Sequence, residues 1–548
     1  MKHRVINHLL ILVALITTFS SCSKDLNLSP QNAQLPSQVF SSAAGYKSVL
    51  AKIYGTLSIS GDKGPAGEPD ISGGLDEGSQ VGFIRAFFNF EELPTDEAVE
   101  AWNDGGVLDN IHTFSLTSGD KFVYGLYARP IYNVTLINQY LQQATDAQLT
   151  ANGITGTSAK DIKNSRAEAR FLRAFNYWVM LDLFGKSTFV DQNAPIGTTP
   201  KEISRADLFN YIVSELKAIN SDLAPVKTIE YGRVDQGAAW ALLARLYLNA
   251  SVYSPKTATP KYYDSAITYA SKVIAGGYSL QPNYAQLFLA DNDKRKDEFI
   301  FAINCDGLHT QGYGNTTFLV HAACGSDNLY YGVAGGWYGY RATSALGNLF
   351  SDLTGATDTR ALFTTYTDTT KSKVVFGTSS IAIPSTGDFA NGLHVAKFRN
   401  VRSDGAATND PTKTFTDNDF PVFRLSEMYL IYAEAVLRGG SGGDATTALR
   451  YFNLVRERAY GHPGVAGTGD YTSIVLQDIL DERGRELYWE GHRRTDLIRF
   501  DQFTSGSYVW PWKGGVLSGT GVSSDFNLLP IPQANITSNP NLTQNHGY

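Results

Sequence analysis

Apolar residues recur at helical spacing in several long segments of the chain. The clearest segment is 165–184, where Phe171, Phe175 and Trp178 fall on one face and Gly185 follows as a helix stop. The same spacing predicts further helices at 39–57, 126–143, 205–223, 235–250, 262–275, 424–438 and 444–460. Helices of similar length in succession suggest tetratricopeptide-like pairs, although the consensus residues of that repeat are weak.

Two stretches of the chain lack this periodicity. Segment 55–82 is rich in Gly, Pro, Asp and Ser, and segment 305–420 is rich in Gly, Thr, Ser, Asp and aromatic residues. Long irregular segments in a compact domain usually carry function. The pattern therefore predicts a helical half and a loop-rich half packed on it.

The first residues have the pattern of a signal peptide. A basic start precedes an apolar run at 9–16, which is too short to span a membrane. Small residues then lead to Cys22 and resemble a lipobox, in which the chain is cut before the cysteine and lipid is attached to it. We therefore predict a signal peptide at 1–21, a lipidated tether at 22–38 and one domain at 39–548. An ordinary secretory signal with an incidental cysteine is the alternative.

Composition excludes some classes of function. The 548 residues carry a formal net charge of −7, with no basic footprint for nucleic acid. Aromatic residues make up 12%, which fits either a bulky core or a sugar-binding surface. Cys305 and Cys324 either pair or remain free thiols. No histidine pair has metal-ligand spacing, and no convincing catalytic constellation stands out.

The most informative stretch is 479–500, ILDERGRELYWEGHRRTDLIRF. Its charges alternate with large apolar residues, so several must lie against a core and pair with one another. Glu486 and Glu490 lie one helical turn apart, a spacing compatible with a glycosidase pair, but flanking arginines favour an ionised structural network. Gly491 is the expected helix stop. The stretch closely resembles the carboxyl-terminal hallmark of the SusD-like (SusD/RagB) nutrient-binding lipoproteins.

The resemblance extends to helical blocks at 167–190, 232–253 and 423–438. It implies a mainly α fold, with four tetratricopeptide-like helix pairs as scaffold and a binding half drawn mainly from 55–125 and 305–420. It also implies a non-enzymatic, cell-surface protein, lipid-anchored in the outer membrane. Such a protein captures starch or malto-oligosaccharides and passes them to a SusC-like TonB-dependent transporter. The alternatives are the same scaffold binding another glycan or a peptide, and a glycoside hydrolase.

Segments 69–102 and 312–337 resemble those of a starch-binding member of the family. The resemblance implies an arc of three aromatic rings, which falls on Trp102, Tyr313 and Trp337. It also implies polar contacts from Asp76 and Arg85. The match breaks where that member has an asparagine contact, and Asn103 and Asp104 are the candidates to replace it. Glu100 stands where that member has a second tryptophan.

Two acidic loops match a calcium site of the same member. They are Asp291-Asn292-Asp293 and Asp417-Asn418-Asp419, so Asp293, Asp417 and Asp419 are the candidate ligands. Loop carboxylates suit Ca²⁺, but solvated loop acids are an equal alternative. We expect no required cofactor and at most a structural calcium ion. Trp510-Pro511-Trp512 also matches the family and is expected to be structural.

Overall fold

The computed structural model describes residues 36–548 except 66, 72, 103–106, 196, 256–259 and 365–380. The predicted signal peptide, Cys22, Asn103 and Asp104 therefore lie outside the described residues. The predicted tether, 22–38, overlaps the first helix, which begins at Pro36.

The described residues are mainly helical. The helices α1–α19 run, in chain order, Pro36–Val39, Ala43–Gly55, Phe83–Glu91, Val107–Thr113, Lys121–Gln143, Asp146–Ala151, Gly156–Leu183, Arg205–Ala218, Gln236–Leu248, Ala250–Tyr253, Pro260–Ile274, Thr316–Ala323, Asn328–Tyr331, Ser344–Gly347, Leu425–Leu437, Ala445–Ala459, Leu476–Leu487, Arg493–Arg499 and Gln533–Ser538. The strands β1–β8 are Val99–Glu100, Ser187–Phe189, Lys201–Ile203, Phe299–Ile303, Tyr340–Arg341, Phe363–Thr364, His394–Val395 and Phe420–Arg424. Short 3₁₀ turns lie at Tyr284–Phe288, Asn292–Arg295, Lys513–Gly515 and Ser524–Asn527.

The long helices form an array in which neighbours in sequence pack together. Helix α5 packs on α7, α7 on α8, α9 on α11, and α15 on α16. The predicted helical scaffold is confirmed, and the succession is consistent with tetratricopeptide-like pairs. Helix α2 begins later and helix α5 earlier than the apolar pattern predicts, because polar caps set their starts. In α5, Asp120 accepts hydrogen bonds from Phe122 N and Val123 N, so the helix starts before the first predicted residue.

The larger of the two irregular regions enters the array as one long insertion. Helix α11 packs on α15 although residues 275–424 separate them. Strands β4 and β8 pair antiparallel, with Phe299 opposite Arg424 and Ile303 opposite Phe420, and so bring the two ends of the insertion together. Strands β1 and β5 join the two irregular regions, since Glu100 pairs with Tyr340.

The hallmark stretch is buried and paired, as predicted. Glu486 accepts from Arg458 at 2.5 Å, Arg424 at 2.9 Å and Arg360 at 3.2 Å. Burial alone would raise the pKa of Glu486, but these guanidinium groups outweigh it and hold the pKa at about 2. Glu490 pairs with Arg424 at 2.7 Å and Lys397 at 2.6 Å.

The helix stop in this stretch differs from the expectation. Helix α17 ends at Leu487, four residues before Gly491, because Tyr488 takes an extended conformation. Trp489 follows at φ +63°, with its ring buried edge-on against Phe88 at 5.4 Å. Gly491, at φ +77°, instead lies just before α18. The predicted stop at Gly491 is therefore wrong, and burial of Trp489 accounts for the earlier turn.

The remaining tryptophans of the helices and of the carboxyl-terminal region, and the two cysteines, are at least half-buried. Trp178 and Trp489 are in the core, Trp240 is half-buried on α9, and Trp510 is in a small second core. Cys305 and Cys324 are both buried free thiols, which decides between the two alternatives. Among the described residues, no helix is long and apolar enough to cross a membrane.

Candidate functional site

The site begins where strand β1 ends. Trp102 follows this strand, and its backbone N–H donates to the Glu100 carboxylate at 2.7 Å. Its indole Nε1 donates to the carbonyl oxygen of Trp337 at 2.8 Å. The Trp102 ring lies against Tyr340 of β5, with ring centroids 5.4 Å apart. The β1–β5 pairing therefore places Trp102 beside the segment that carries Trp337.

Trp337 is positioned by the carboxyl end of α12. Its N–H donates at 2.8 Å to His321 O, a carbonyl of the last helical turn that also accepts from Cys324 N at 3.2 Å. The indole stacks on His321 at 4.7 Å with an interplanar angle of 24°. Both Trp337 and Trp102 are half-buried, so each ring keeps part of its surface in solvent.

Tyr313 is the third aromatic residue of the site, and we call the surface formed by Trp102, Tyr313 and Trp337 the aromatic surface. Its ring lies 6.0 Å from that of Trp337, with an angle of 57° between the planes, and 5.4 Å from Phe415. A Cβ at Gly78 would come within 2.5 Å of Tyr313 Cβ, so only glycine lets the 76–78 turn approach. The structure thus brings together the three aromatic residues that the resemblance implied.

Asp76 and Glu77 form the turn that rests on Tyr313. Asp76 is exposed, and its carboxylate accepts from Ser79 N at 2.6 Å. Glu77 is buried, with Ser60 Oγ donating to it at 2.6 Å. Burial raises the pKa of Glu77 to about 7. The carboxylate of Asp76, a predicted ligand contact, is therefore open to solvent. The buried carboxyl group of Glu77 fixes the turn that carries it.

Arg85, a predicted polar contact for the ligand, is buried beneath the protein surface. It is buried, and its guanidinium lies 4.5 Å from the Phe318 ring centroid and 5.5 Å from that of Trp102. Such cation–π contacts favour a fixed orientation of the ring. The guanidinium of Arg85 therefore packs against the Trp102 ring and helps to fix its orientation.

Sequence reasoning missed the residues that hold the rings. His321 stacks on Trp337, while its two ring nitrogens lie 2.6 Å from Gly335 O and 2.9 Å from Thr414 O. Burial lowers the pKa of His321. A single histidine within an apolar helix gives no spacing signal, so no pattern could have singled it out. The supporting rings Phe318, Tyr340 and Phe415 are likewise scattered along the chain.

Asp417 and Asp419, two of the predicted calcium ligands, accept hydrogen bonds from the protein. Among the described residues, no three His, Cys, Asp or Glu side chains come together as a group able to hold a metal ion. Asp417 accepts from Gly307 N at 2.8 Å and Asn409 N at 2.7 Å. Asp419 accepts from Cys305 N and from Tyr231 Oη, both at 2.8 Å. These carboxylates already accept hydrogen bonds from the protein, and the calcium site stays a prediction.

A large cavity lies apart from the aromatic surface. It has a volume of about 870 Å³ between α2, the start of α7 and the 224–233 loop. None of the predicted ligand residues lines it. Glu168 within it is already bonded to Arg233 at 2.5 Å and Tyr54 at 2.7 Å. We place the candidate site at the aromatic surface because half-exposed rings and an exposed carboxylate converge there.

Comparison with known proteins gives matches over most of the chain. The model of the SusD family matches residues 256–548. The chain is also 35% identical to the starch-binding protein SusD of Bacteroides thetaiotaomicron, over 98% of each chain. The chain belongs to the SusD family. A SusD-like protein of Bacteroides ovatus is 27% identical over 71% of this chain and 68% of its own.

Solved structures of the SusD superfamily share the fold. Surface glycan-binding protein A from Bacteroides thetaiotaomicron, solved in complex with laminarihexaose, superposes with a TM-score of 0.67 at 20% identity. The match covers 92% of this chain and 99% of that one. A SusD superfamily protein from Parabacteroides distasonis gives a TM-score of 0.68 at 20% identity, with the same coverage. The mainly α, SusD-like fold is thus confirmed.

Proposed function

We propose that this protein binds starch and malto-oligosaccharides at the surface formed by Trp102, Tyr313 and Trp337. The observation that carries the proposal is the convergence of these three half-buried aromatic residues from two distant segments of the chain. The 35% identity to the starch-binding protein SusD over nearly the whole chain supports the choice of α-glucan. Asp76 would supply a polar partner at the edge of the surface.

The tilt between the rings favours a curved ligand. A pyranose presents an apolar C–H face that packs on an aromatic ring, while its hydroxyls need polar partners at the rim. The Tyr313 and Trp337 planes differ by 57°, so two stacked sugars would also be inclined to each other. An α-1,4-glucan curves in this way, whereas a cellulose chain is extended and presents nearly parallel faces.

Calorimetric titration with a panel of oligosaccharides tests this function. We expect binding of maltoheptaose, and binding of α-cyclodextrin at least as tight as that of maltohexaose, because a preformed ring loses less conformational entropy. Cellohexaose should not bind measurably. A preference for cellohexaose would overturn the α-glucan assignment and leave only membership of the family.

A second candidate is another glycan on the same scaffold. The surface glycan-binding protein A with the same fold was solved with laminarihexaose, which shows that this scaffold accommodates different glycans. Laminarihexaose therefore belongs in the titration panel. Tighter binding of laminarihexaose than of maltohexaose would favour this candidate.

We propose that the protein is not an enzyme. The one carboxylate pair with suggestive spacing, Glu486 and Glu490, is buried and bonded to arginines and Lys397. A general acid needs a raised pKa and access to substrate, and Glu486 has neither. Incubation with starch should release no reducing sugar. Measurable release would instead favour the glycoside hydrolase alternative.

The proposal includes a lipid anchor at Cys22 and a place on the outer face of the outer membrane. Acyl chains hold a protein at a bilayer because each buried CH₂ contributes about 0.8 kcal/mol. The bound glucan would pass to a SusC-like TonB-dependent transporter. Cys22→Ala should release the protein from the membrane fraction in cells lacking that transporter. A variant that stays in the outer-membrane fraction there would contradict the anchor.

A further inference from the structure

Tyr338 combines exposure with a strained backbone. Its φ is +55°, a left-handed conformation that costs a bulky side chain free energy. Three other aromatic residues in the described part of the chain have positive φ: Phe114 and Trp489 have buried rings that offset this cost, and Trp512 is half-buried, with its indole Nε1 donating to Ile383 O at 2.8 Å. Tyr338 is 42% exposed, more than any of these three, so core packing offsets less of the cost. Strain retained on an exposed aromatic ring points to function.

The surrounding backbone fixes Tyr338 in this conformation. Its N–H donates to Cys324 O at 3.0 Å, and the next N–H, of Gly339, donates to Ala322 O at 2.9 Å. Both carbonyls belong to the carboxyl end of α12. A Cβ at Gly339 would overlap the Trp102 indole, so the chain passes directly beneath that ring. The two hydrogen bonds to the end of α12 and the close approach of Gly339 to Trp102 therefore impose the positive φ of Tyr338.

The backbone of Tyr338 lies beside the aromatic surface, and its ring packs on a neighbour of its own. Trp337 O accepts from Trp102 Nε1, and Gly339 touches the Trp102 ring, so Tyr338 lies between two contacts with Trp102. Trp337 packs on Tyr313 and His321, whereas Tyr338 packs edge-on against Phe389 at 5.3 Å. The two consecutive rings therefore rest on different neighbours.

The support under Tyr338 is itself rigid. Phe389 is buried and stacks on His394 at 4.3 Å with an angle of 29°. Arg341, fully buried in β5, donates to Thr386 O at 2.8 Å and so holds the loop that carries Phe389. A ring on a fixed support loses little freedom when a ligand stacks on it.

We propose that Tyr338 forms a further sugar subsite, which stacks on a glucose unit beyond the one held by Trp337. This inference rests on the proposed binding of α-glucans and extends the same surface. A neutral pyranose is the chemistry that an exposed phenol ring at the edge of such a surface accommodates. Only an oligosaccharide long enough to reach past Trp337 contacts this subsite, so longer oligosaccharides bind more tightly than short ones.

The test compares affinity across oligosaccharide lengths for matched variants. Wild type, Tyr338→Ala and Tyr338→Phe are titrated with maltotriose and maltoheptaose, with Leu329→Ala as control for loss of an exposed apolar side chain (Leu329 is 74% exposed). We expect Tyr338→Ala to weaken maltoheptaose binding several-fold and leave maltotriose unchanged. Tyr338→Phe and Leu329→Ala should behave as wild type. Unchanged maltoheptaose binding in Tyr338→Ala, with loss in Trp337→Ala, would overturn the subsite.

Tyr338→Gly separates a binding role from a structural one. Glycine adopts φ +55° without strain, so this variant should melt at a higher temperature than Tyr338→Ala while binding maltoheptaose equally weakly. A lower melting temperature for Tyr338→Gly would remove the strain argument and overturn the proposal. If wild type binds no α-glucan of any length, the proposed function fails instead, which is a distinct outcome.

Discussion

The indole N–H of Trp102 donates a 2.8 Å hydrogen bond to the backbone carbonyl of Trp337, 235 positions away in sequence. The acceptor is a backbone atom, so it survives any substitution of the Trp337 side chain. The donor is the Trp102 ring itself. Substitutions at the two positions therefore differ in what they remove, and this difference can be measured.

Trp102→Phe should weaken maltoheptaose binding to a level between wild type and Trp102→Ala. Phenylalanine keeps an aromatic face for the sugar but lacks the indole N–H, so the hydrogen bond to Trp337 O that orients the ring is lost. Trp102→Ala and Trp337→Ala should each lose on the order of 1–2 kcal/mol, about ten-fold in affinity per 1.4 kcal/mol. The double alanine variant should show no detectable binding by calorimetry.

Circular dichroism of each variant checks that the helices are intact. Trp240→Phe is the matched control, since Trp240 is a half-buried tryptophan on α9 and lies outside the aromatic surface. It should bind as wild type does. Wild-type affinity in the double alanine variant would place the glucan site elsewhere.

Glu486→Gln should lower stability without changing the affinity of the folded protein. The substitution leaves Arg458, Arg424 and Arg360 facing a neutral amide inside the core. Removing one member of a buried ion pair costs about 3–5 kcal/mol. Thermal unfolding followed by circular dichroism measures the loss, and Asp481→Asn, half-buried on the same helix, is the control. A Glu486→Gln protein that melts normally but no longer binds sugar would contradict the structural role.

The helical scaffold could be predicted from sequence because its apolar spacing is local. The predicted burial of the 479–500 charges was also correct, since residues such as Leu487 and Trp489 alternate with them. The partners of those charges could not be predicted. Arg360 and Arg424 lie in distant segments, and only the tertiary fold brings them to Glu486.

The aromatic surface was predicted through family resemblance and not through any spacing. The residues that hold its rings in place could not be predicted, because, like the arginine partners of Glu486, they come from distant segments of the chain. His321 under Trp337 and Gly78 against Tyr313 act through contacts between segments far apart in the chain. Tyr338 was missed because a positive φ on a non-glycine residue has no sequence signal.

Glu77→Gln should change how stability depends on pH. Burial raises the pKa of Glu77 to about 7 from its ordinary 4.5, so folding favours the protonated form. The stability that this group contributes is fully present below pH 4.5 and is lost as pH rises through 7. Glutamine stays neutral and can still accept from Ser60 Oγ. The melting temperature of the variant should therefore rise relative to wild type between pH 4.5 and 7, and parallel melting curves across that range would contradict the raised pKa.

Removal of calcium should leave the melting temperature unchanged. The oxygens of Asp417 and Asp419 already accept hydrogen bonds from the protein, so the fold does not depend on an ion there. Melting with EDTA and with added CaCl₂ makes the comparison. A melting temperature that falls in EDTA and recovers with calcium would show that these loops do hold the ion. Asp417→Asn should then abolish the calcium effect.

The insertion and the buried charges together set an order for folding. Arg360 and Arg424 lie within or at the end of the loop-rich half, but their carboxylate partners Glu486 and Glu490 come from the later 479–500 stretch. Until those residues are synthesised, the two arginines have only part of their buried carboxylate partners, such as Asp358 for Arg360 and Glu298 for Arg424. Contacts between such distant segments form slowly. The aromatic surface, displayed by that same half, therefore becomes fully rigid only when nearly the whole chain has been made.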